Sequence, residues 1–408
     1  MRILYMTQWF EPEPAFKGLS FARAFRDRGC DIRVVTGFPN YPRGKLYPGH
    51  RLRAFRRQRM DDIVVDRVFL YPSHSRSGRG RALNYLSFAC SLTIYGLLAR
   101  DGRDVIYVYH PPLTVALAAV VVGFFRRIPI VVDIQDLWPD SLSATGMVPS
   151  RWIVAAIDRA CGIVYRRARR IIVQSHGFKH RLMARGVPAD KIKVILNWAP
   201  EQEAVPTGKL DLAPYAFADR FSVVFAGTMG MAQGLDAVLD AAKLVANATP
   251  GVQFVLVGDG VETTRLQERV IHERLVNVRI MPRVALNEVA DILCAADVLL
   301  VTLRSNPLFE ITIPSKTQFY LCIGKPVLMA VRGEAASLIE QAKSGLCVLP
   351  SSPEALADAV LRLKRTEPAE LAAMGQRGRA YYRERLSFAS AMEKTLAVLG
   401  YAIGRSTA

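Results

Sequence analysis

Hydrophobic positions along this chain fall into short β-branched runs, each followed by a longer stretch with helical spacing. That alternation predicts parallel sheets joined by crossover helices. In the first half, strands are expected at residues 3–7, 32–36, 64–70, 105–109, 130–134 and 171–174, with a short one at 193–196. In the second half they are expected at 223–226, 253–257, 278–281, 298–302, 326–329 and 345–348. Residues 197–219 are polar and proline-rich and read as a linker, so each half predicts its own doubly wound α/β sheet. No short-period repeat is visible. The expected domains are 1–200, 201–380 and a terminal helical segment, 381–408. That last helix reads from 371 to 399 with a break near Gly375 and Gly378, and is expected to cross back onto the first domain. Two Rossmann-like halves imply a cleft between them, where the carboxyl ends of both sets of strands meet and ligands sit.

Two runs depart from this rhythm by being too apolar. Residues 82–99 carry no charge, and 113–125 form a shorter run. The first is near the lower length for a membrane span, about 20 residues. It contains Asn84, Ser87, Ser91 and Thr93 and is flanked by basic residues, which favours a buried or interfacial helix over a span. Residues 1–6 run straight into a strand pattern and lack a signal-peptide core. The six cysteines are scattered, without a CxxC or Cys/His cluster, which argues against a zinc site or a disulfide framework and fits a cytosolic chain.

Charge changes the picture further. The chain carries a net +18 over its 408 residues, and residues 1–200 hold all of the excess, with 32 Lys and Arg against 14 Asp and Glu. The second half is balanced. The first half therefore meets something anionic: a nucleic acid, a phospholipid surface or a phosphorylated substrate, unless it is a solvated basic face. Basic residues gather in an irregular stretch through Arg43, Lys45, Arg51, Arg53, Arg56, Arg57 and Arg59, and again over residues 73–81 just before the apolar run. Cations followed by an apolar helix suit an anionic lipid surface. The aromatic interleaving that stacks nucleic-acid bases is sparse.

Candidate chemistry clusters at expected strand ends. Pro314 opens a helix that Gly324 ends, so Ser315 and Lys316 stand at a helix N-terminus, where free N–H groups, the helix dipole and an ammonium converge on a phosphate. Strand 223–226 leads into Gly227-Thr228-Met229-Gly230, and strand 253–257 into Gly258-Asp259-Gly260. Both turns let a phosphate approach backbone amides. Together the three elements point to a nucleotide diphosphate. In the first half, strand 130–134 runs into Gln135-Asp136-Leu137-Trp138-Pro139-Asp140. Asp136 is placed to bond a sugar hydroxyl or assist proton transfer, and Trp138 to pack on a sugar face, the alternative being a helix cap and a core tryptophan. Asp133, Asp136 and Asp140 could be imagined as a metal site, but no second cluster supports one. The loop after the first strand carries Glu11, Glu13, Lys17 and Gly18, without the G-x-G-x-x-G that a dinucleotide enzyme needs. His110 ends another strand, where a structural histidine is the competing reading.

Taken in order, residues 38–45 (Phe-Pro-Asn-Tyr-Pro-Arg-Gly-Lys), 136–141, Asn197-Trp198, 227–235 and Pro314-Ser315-Lys316 with Gly324-Lys325-Pro326 resemble the GT-B glycosyltransferases of retaining family four. Within that family they look most like the bacterial WbuB-like transferases of surface-polysaccharide assembly. The resemblance extends over nearly the whole chain. It implies transfer of a sugar, often an N-acetylated amino sugar, from a UDP-type nucleotide-diphosphate donor with retention of configuration. The acceptor is then a lipid-diphosphate-linked glycan, met by a peripheral cytoplasmic enzyme at the anionic inner face of the cytoplasmic membrane. No metal or other cofactor and no nucleic acid is implied. The catalytic residues are then Asp136, Gln135 (in place of the family's frequent histidine) and Lys316. Donor contacts fall on Gly227, Thr228, Gly230, Gln233, Gly258, Ser315 and Lys316. Acceptor contacts fall on Glu13, Lys17, Gly18, Asn40, His110 and Trp138. The family's usual Arg and Lys correspond to Thr228 and Gln233 here, and its two glutamates to Ile311 and Phe319, which leaves Glu310 and Glu334 as substitutes. A GT-B nucleotide-sugar epimerase or hydrolase, and a basic nucleic-acid-binding protein, are the alternatives.

Overall fold

The computed structural model describes residues 1–73, 78–99, 101–141 and 150–404. Residues 74–77 of the second basic stretch and 405–408 of the terminal segment therefore lie outside the described residues. The chain divides into two compact units. The first comprises Met1–Gln174, Phe178–Ile195 and the chain from Met392 on, and the second comprises Ser175–Gly177 and Leu196–Ala391.

In the first unit the strands are β1 (Arg2–Met6), β2 (Asp31–Gly37), β3 (Phe55–Met60), β4 (Ile63–Val68), β5 (Val105–His110), β6 (Ile130–Ile134), β7 (Arg170–Val173) and β8 (Ile192–Val194). They form one sheet in the order β3-β4-β2-β1-β5-β6-β7-β8. Every neighbour is parallel except β3 with β4. Strand β3 corrects the reading of residues 51–59 as irregular. Its sequence, Phe-Arg-Arg-Gln-Arg-Met, alternates exposed and half-buried positions at the sheet edge, where charged side chains blunt further pairing. Asp61 and Asp62, both at positive φ, make the two-residue hairpin turn into β4. Helix Gly78–Leu98 covers the expected apolar run. Among the described residues no helix is long and apolar enough to cross a membrane.

In the second unit, β9 (Phe221–Ala226), β10 (Val252–Val257), β11 (Val278–Met281), β12 (Val298–Thr302), β13 (Val327–Ala330) and β14 (Gly345–Cys347) form an all-parallel sheet in the order β11-β10-β9-β12-β13-β14. Alternate residues of β9 enter different cores. Val223 and Phe225 pack with helices Leu235–Ala248 and Pro353–Arg365, whereas Val224 packs with Phe319, Tyr320 and Ile339. Both faces are covered, which is why these strands read as unbroken hydrophobic runs.

Two boundaries differ from the sequence reading. Residues 197–219 are not a free linker but part of the second unit. Trp198 is buried against Phe388, and Asp291 accepts from the Thr207 hydroxyl (2.8 Å) and the Gly208 amide (2.9 Å). Helix Pro368–Tyr381 runs through Gly375 and Gly378 without a break. A Cβ on Gly375 would stand 2.1 Å from the Gly324 carbonyl, and one on Gly378 2.9 Å from Ser344 Cβ, so these glycines serve close packing. The interruption falls instead at Tyr382–Leu386, a wider π turn, before helix Phe388–Ala402. The chain rejoins the first unit at Met392, where the Arg170 guanidinium lies 3.8 Å from the Tyr401 ring.

Candidate active site

In the second unit, β9 is flanked by β10 on one side and β12 on the other, so the crossover direction reverses there and a crevice opens at the carboxyl ends of the strands. A cavity of about 470 Å³ occupies it. Its wall is drawn from five successive places: Ala226–Thr228 after β9, Val257–Asp259 after β10, Arg283 and Val284 after β11, Val301–Leu303 at the end of β12, and Pro314–Lys316 with Phe319 and Tyr320 on helix Ser315–Ile323. The glycines are there for reach. Gly227 (φ +146°) and Gly258 (φ +150°) adopt backbone that side chains rarely allow, and a Cβ on Gly258 would lie 1.8 Å from the Gly227 carbonyl. Tyr320 Oη takes the Ala226 amide at 2.9 Å and pins the end of β9.

Lys316 gives this cavity its character. Its Nζ is buried, stands 3.7 Å from the centre of the Phe225 ring, and finds no hydrogen-bond partner among the described residues. Burial pushes its pKa down to about 7. A Cβ on Gly227 would sit 3.0 Å from that Nζ, so the ammonium and the glycine turn share one spot. A second cation, the exposed Arg283, lines the same cavity. Sequence reasoning missed it. Its position just beyond strand 278–281, at the edge where the glycine turns lie, is the signal that could have found it.

The cavity brings together Gly227, Thr228, Gln233, Gly258, Ser315 and Lys316, all expected at the donor. Gly230 is not among its lining residues; its amide donates to Gln233 Oε1 at 3.0 Å, so the two stiffen the turn. Glu310 and Glu334 are not in the lining either. The Glu310 carbonyl lies against Gly333, where a Cβ would come within 1.9 Å, and the Glu334 carboxylate accepts the Gly177 amide at 2.6 Å. The Glu334 carboxylate is thus engaged inside the unit and not at this cavity, and the cavity wall does not include the Glu310 side chain either.

At the carboxyl ends of the first sheet, most expected residues are tied down. The buried Glu13 carboxylate accepts from the amides of Asn40 (2.6 Å), Tyr41 (2.7 Å) and Phe10 (3.3 Å), joining two loops. Burial raises its pKa to about 7. Lys17, expected at the acceptor, is buried and ion-paired with Asp133, which also accepts from Tyr107 Oη and Gln135 Nε2. Gly18 packs on Glu11, whose Oε1 caps the following helix at the Leu19 amide (2.7 Å). Asn40 is buried and accepts from Asn84 at 3.2 Å. Arg67, unnoticed in the sequence, is fully buried and donates to the carbonyls of Gly37 (2.8 Å) and Glu11.

Three expected residues stay closer to solvent or unpaired. Asp136 is exposed, yet the surrounding protein desolvates its carboxyl enough to raise the pKa. Trp138 is half-buried and donates its indole N–H to the Pro111 carbonyl at 3.0 Å. His110 is fully buried, neither ring nitrogen finds a partner among the described residues, and burial pushes it down to about 4, so the ring is neutral at neutral pH. Of the three aspartates imaginable as a metal site, two are engaged elsewhere, Asp133 with Lys17 and Asp140 with Arg181 and Arg185.

Two doubly wound α/β sheets, one of them ending in a cationic, glycine-walled cavity, make a two-unit α/β architecture, and comparison with known proteins bears on each half. Residues 19–198 match the model described as glycosyl transferase 4-like domain, and residues 220–366 match the one described as glycosyl transferases group 1. The chain is a glycosyltransferase of GT-B type. It is 26% identical over 307 residues to the probable glycosyltransferase WbjE of Pseudomonas aeruginosa, covering 72% of this chain and 74% of that one. In fold it is similar to HepE of Anabaena solved with UDP-glucose (19% identity, TM-score 0.69, 98% of this chain and 100% of that). It is likewise similar to an Escherichia coli protein solved with UDP-2-fluoro glucose (12%, TM-score 0.72, 98% and 99%).

Proposed function

We propose that this enzyme transfers a sugar from a UDP-type nucleotide-diphosphate donor to a lipid-diphosphate-linked glycan, with retention of configuration, in bacterial surface-polysaccharide assembly. An N-acetylated amino sugar is the donor class the sequence resemblance favours. The observation that carries the reading is the buried ammonium of Lys316, which has no hydrogen-bond partner among the described residues and stands beside the Gly227 turn and the N-terminus of helix Ser315–Ile323. An anion with several phosphate oxygens satisfies all three at once. The solved structures of HepE with UDP or UDP-glucose and of the E. coli protein with UDP-2-fluoro glucose support the same ligand class.

The reaction needs little covalent help from the protein. The bond from the sugar C1 to the β-phosphate oxygen breaks, the acceptor hydroxyl oxygen bonds C1 on the same face, and the acceptor proton passes to the departing phosphate. Charge accumulates on the diphosphate as that bond breaks, so Lys316, Arg283 and the strand-end amides stabilise the transition state more than the ground state. Asp136, with Gln135 beside it, is the group that orients a sugar hydroxyl. Glu13 and Asn40 act as a scaffold for the acceptor loops and do not touch the acceptor.

The test is UDP release from a panel of UDP-sugars supplied with lipid-diphosphate-linked acceptors. Wild type releases UDP only when acceptor is present, and Lys316→Ala binds UDP much more weakly and loses turnover. Donor turnover without acceptor identifies an epimerase or hydrolase instead, and unchanged UDP binding by Lys316→Ala overturns the phosphate assignment.

A further inference from the structure

Helix Gly78–Leu98 is built backwards for a water-facing helix. Its buried stripe is Asn84, Phe88, Leu92 and Gly96, which includes an amide. Its outward stripe is Leu83, Leu86, Cys90, Ile94, Leu97 and Leu98, at helical spacing and without one polar side chain. That stripe runs for about 22 Å at 1.5 Å per residue. Leu98 is 72% exposed and Ile94 60%. An apolar strip of this length on a soluble surface marks an interaction site.

The neighbouring helix Leu113–Arg126 extends the strip. Gly96 lets the two helices touch, since a Cβ there would meet Val122 at 2.5 Å, and Arg126 donates to the Gly96 carbonyl at 3.2 Å. These contacts set the carboxyl ends of both helices side by side. Phe124 and Phe125, 58% and 68% exposed, therefore lie at the same end of the helix pair as Leu97 and Leu98. The Arg167 guanidinium lies 5.1 Å from the Phe124 ring and ties a cationic rim to the aromatic pair.

The rim decides the partner. Between residues 67 and 132 the only carboxylates are Asp101 and Asp104. Both are already neutralised, Asp101 by Arg33 and Arg103 and Asp104 by Arg2. Arg79 at one end of the strip and Arg127 and Arg167 at the other are exposed and have no carboxylate partner among the described residues. Apolar side chains at the centre, arginines without a carboxylate partner at the margin and no free carboxylate between residues 67 and 132 complement an anionic lipid surface, with the strip sunk among acyl chains and the arginines at phosphate depth. A second copy of the chain would bring the same positive rim against itself.

We infer that the outward face of helices Gly78–Leu98 and Leu113–Arg126 is a monotopic docking surface for an anionic bilayer, with both helices lying in its interface. The inference rests on the reading of a lipid-linked acceptor only for why a membrane is met, and it relocates the contact from the basic stretch at residues 51–59 to this strip.

The test is co-sedimentation of the full chain with vesicles of phosphatidylcholine containing one-third phosphatidylglycerol, without donor or acceptor, beside light scattering of the protein alone. Wild type binds these vesicles and binds pure phosphatidylcholine much more weakly. Leu86→Glu/Ile94→Glu loses at least about tenfold in partition. Arg127→Glu/Arg167→Glu loses more than tenfold, since each cation at an anionic surface is worth roughly fivefold. All four side chains are exposed, so both variants keep the wild-type melting temperature and the stabilisation by UDP. Wild-type binding by Leu86→Glu/Ile94→Glu overturns the inference. So does a dimer in solution that this variant dissolves, because the strip then belongs to a second copy. Vesicle binding without any sugar transfer refutes the proposed reaction and leaves the docking surface standing.

Discussion

Lys316 makes a quantitative prediction because its pKa ties donor binding to folding stability. Its folded-state pKa is about 7 against an ordinary 10.5, a displacement caused by burial alone. At about 1.4 kcal/mol per unit, holding the charged form in the free protein costs about 4–5 kcal/mol. The folded pKa lies below the unfolded one, so the cost is fully present below pH 7, where both states carry the proton. It is relieved as pH rises from 7 towards 10.5, where the unfolded chain keeps the proton and the fold sheds it. Lys316→Met removes the charge without opening a large hole. The variant is therefore more stable than wild type at pH 6, by several kcal/mol in urea unfolding, and the difference narrows by roughly 2–3 kcal/mol by pH 9. Donor binding runs the other way. A diphosphate at Nζ restores the proton, so above pH 7 wild-type affinity for UDP falls by up to about tenfold per pH unit. Calorimetry at pH 8 in buffers of different ionisation enthalpy then reads uptake of close to one proton, since the terminal phosphate of UDP, with a pKa of about 6, is already ionised there. Parallel stability curves for wild type and Lys316→Met from pH 6 to 9, with proton-neutral UDP binding, would refute the reasoning.

Gly258→Ala forces a Cβ to within 1.8 Å of the Gly227 carbonyl at a φ of +150°, so it should cost more than about 2 kcal/mol and abolish stabilisation by UDP, both read from thermal melts. Gly375→Ala should gain about 1 kcal/mol if helix propensity governed; with its Cβ 2.1 Å from the Gly324 carbonyl it should instead lower the urea midpoint by the equivalent of about 2 kcal/mol. Arg283 is exposed where Lys316 Nζ is buried. Arg283→Ala should therefore weaken UDP binding several-fold at low salt and flatten its salt dependence, whereas Lys316→Ala should weaken binding while keeping the wild-type slope.

The sheets were legible because their strands are buried on both faces, which leaves runs such as Val-Gln-Phe-Val-Leu-Val bounded by glycine. Strand β3 was not, since its Arg-Arg-Gln-Arg centre serves an exposed edge and shows charge where pattern reading looks for alternation. The glycines at 375 and 378 misled for a related reason. Sequence shows that a residue lacks a Cβ but not what the missing Cβ would have struck, and here it is another backbone and not a turn. At the candidate site, glycine turns and a helix N-terminus carry local signatures, so the gathering of Gly227, Gly258, Ser315 and Lys316 around one cavity was legible. Lys17, Glu13 and Glu334 were misplaced because a charged residue in a loop reads the same whether it faces a ligand or, as here, a buried partner more than a hundred residues away or the amides of a neighbouring loop. Arg283 has no local signature and is recognisable only once β11 is known to sit at the same sheet edge as β9 and β10.

That contrast between satisfied and unsatisfied charge locates the anion site more firmly than any motif. A buried ionic group is tolerated only when something meets it. At the first sheet's carboxyl edge each such group is met from within: Asp133 by Lys17, Tyr107 and Gln135, Glu13 by three amides, and Arg67 by two carbonyls. These groups hold loops in place and leave little free charge to offer a substrate. In the second unit, the ammonium of Lys316 is buried with only an aromatic face against it, a contact worth far less than the hydration it gives up. The fold bears that cost at one spot, beside two glycines whose conformations bring amides to the same place. A group kept charged only by a visiting anion binds that anion most strongly when its negative charge is greatest, which on the proposed reaction is the moment the sugar departs.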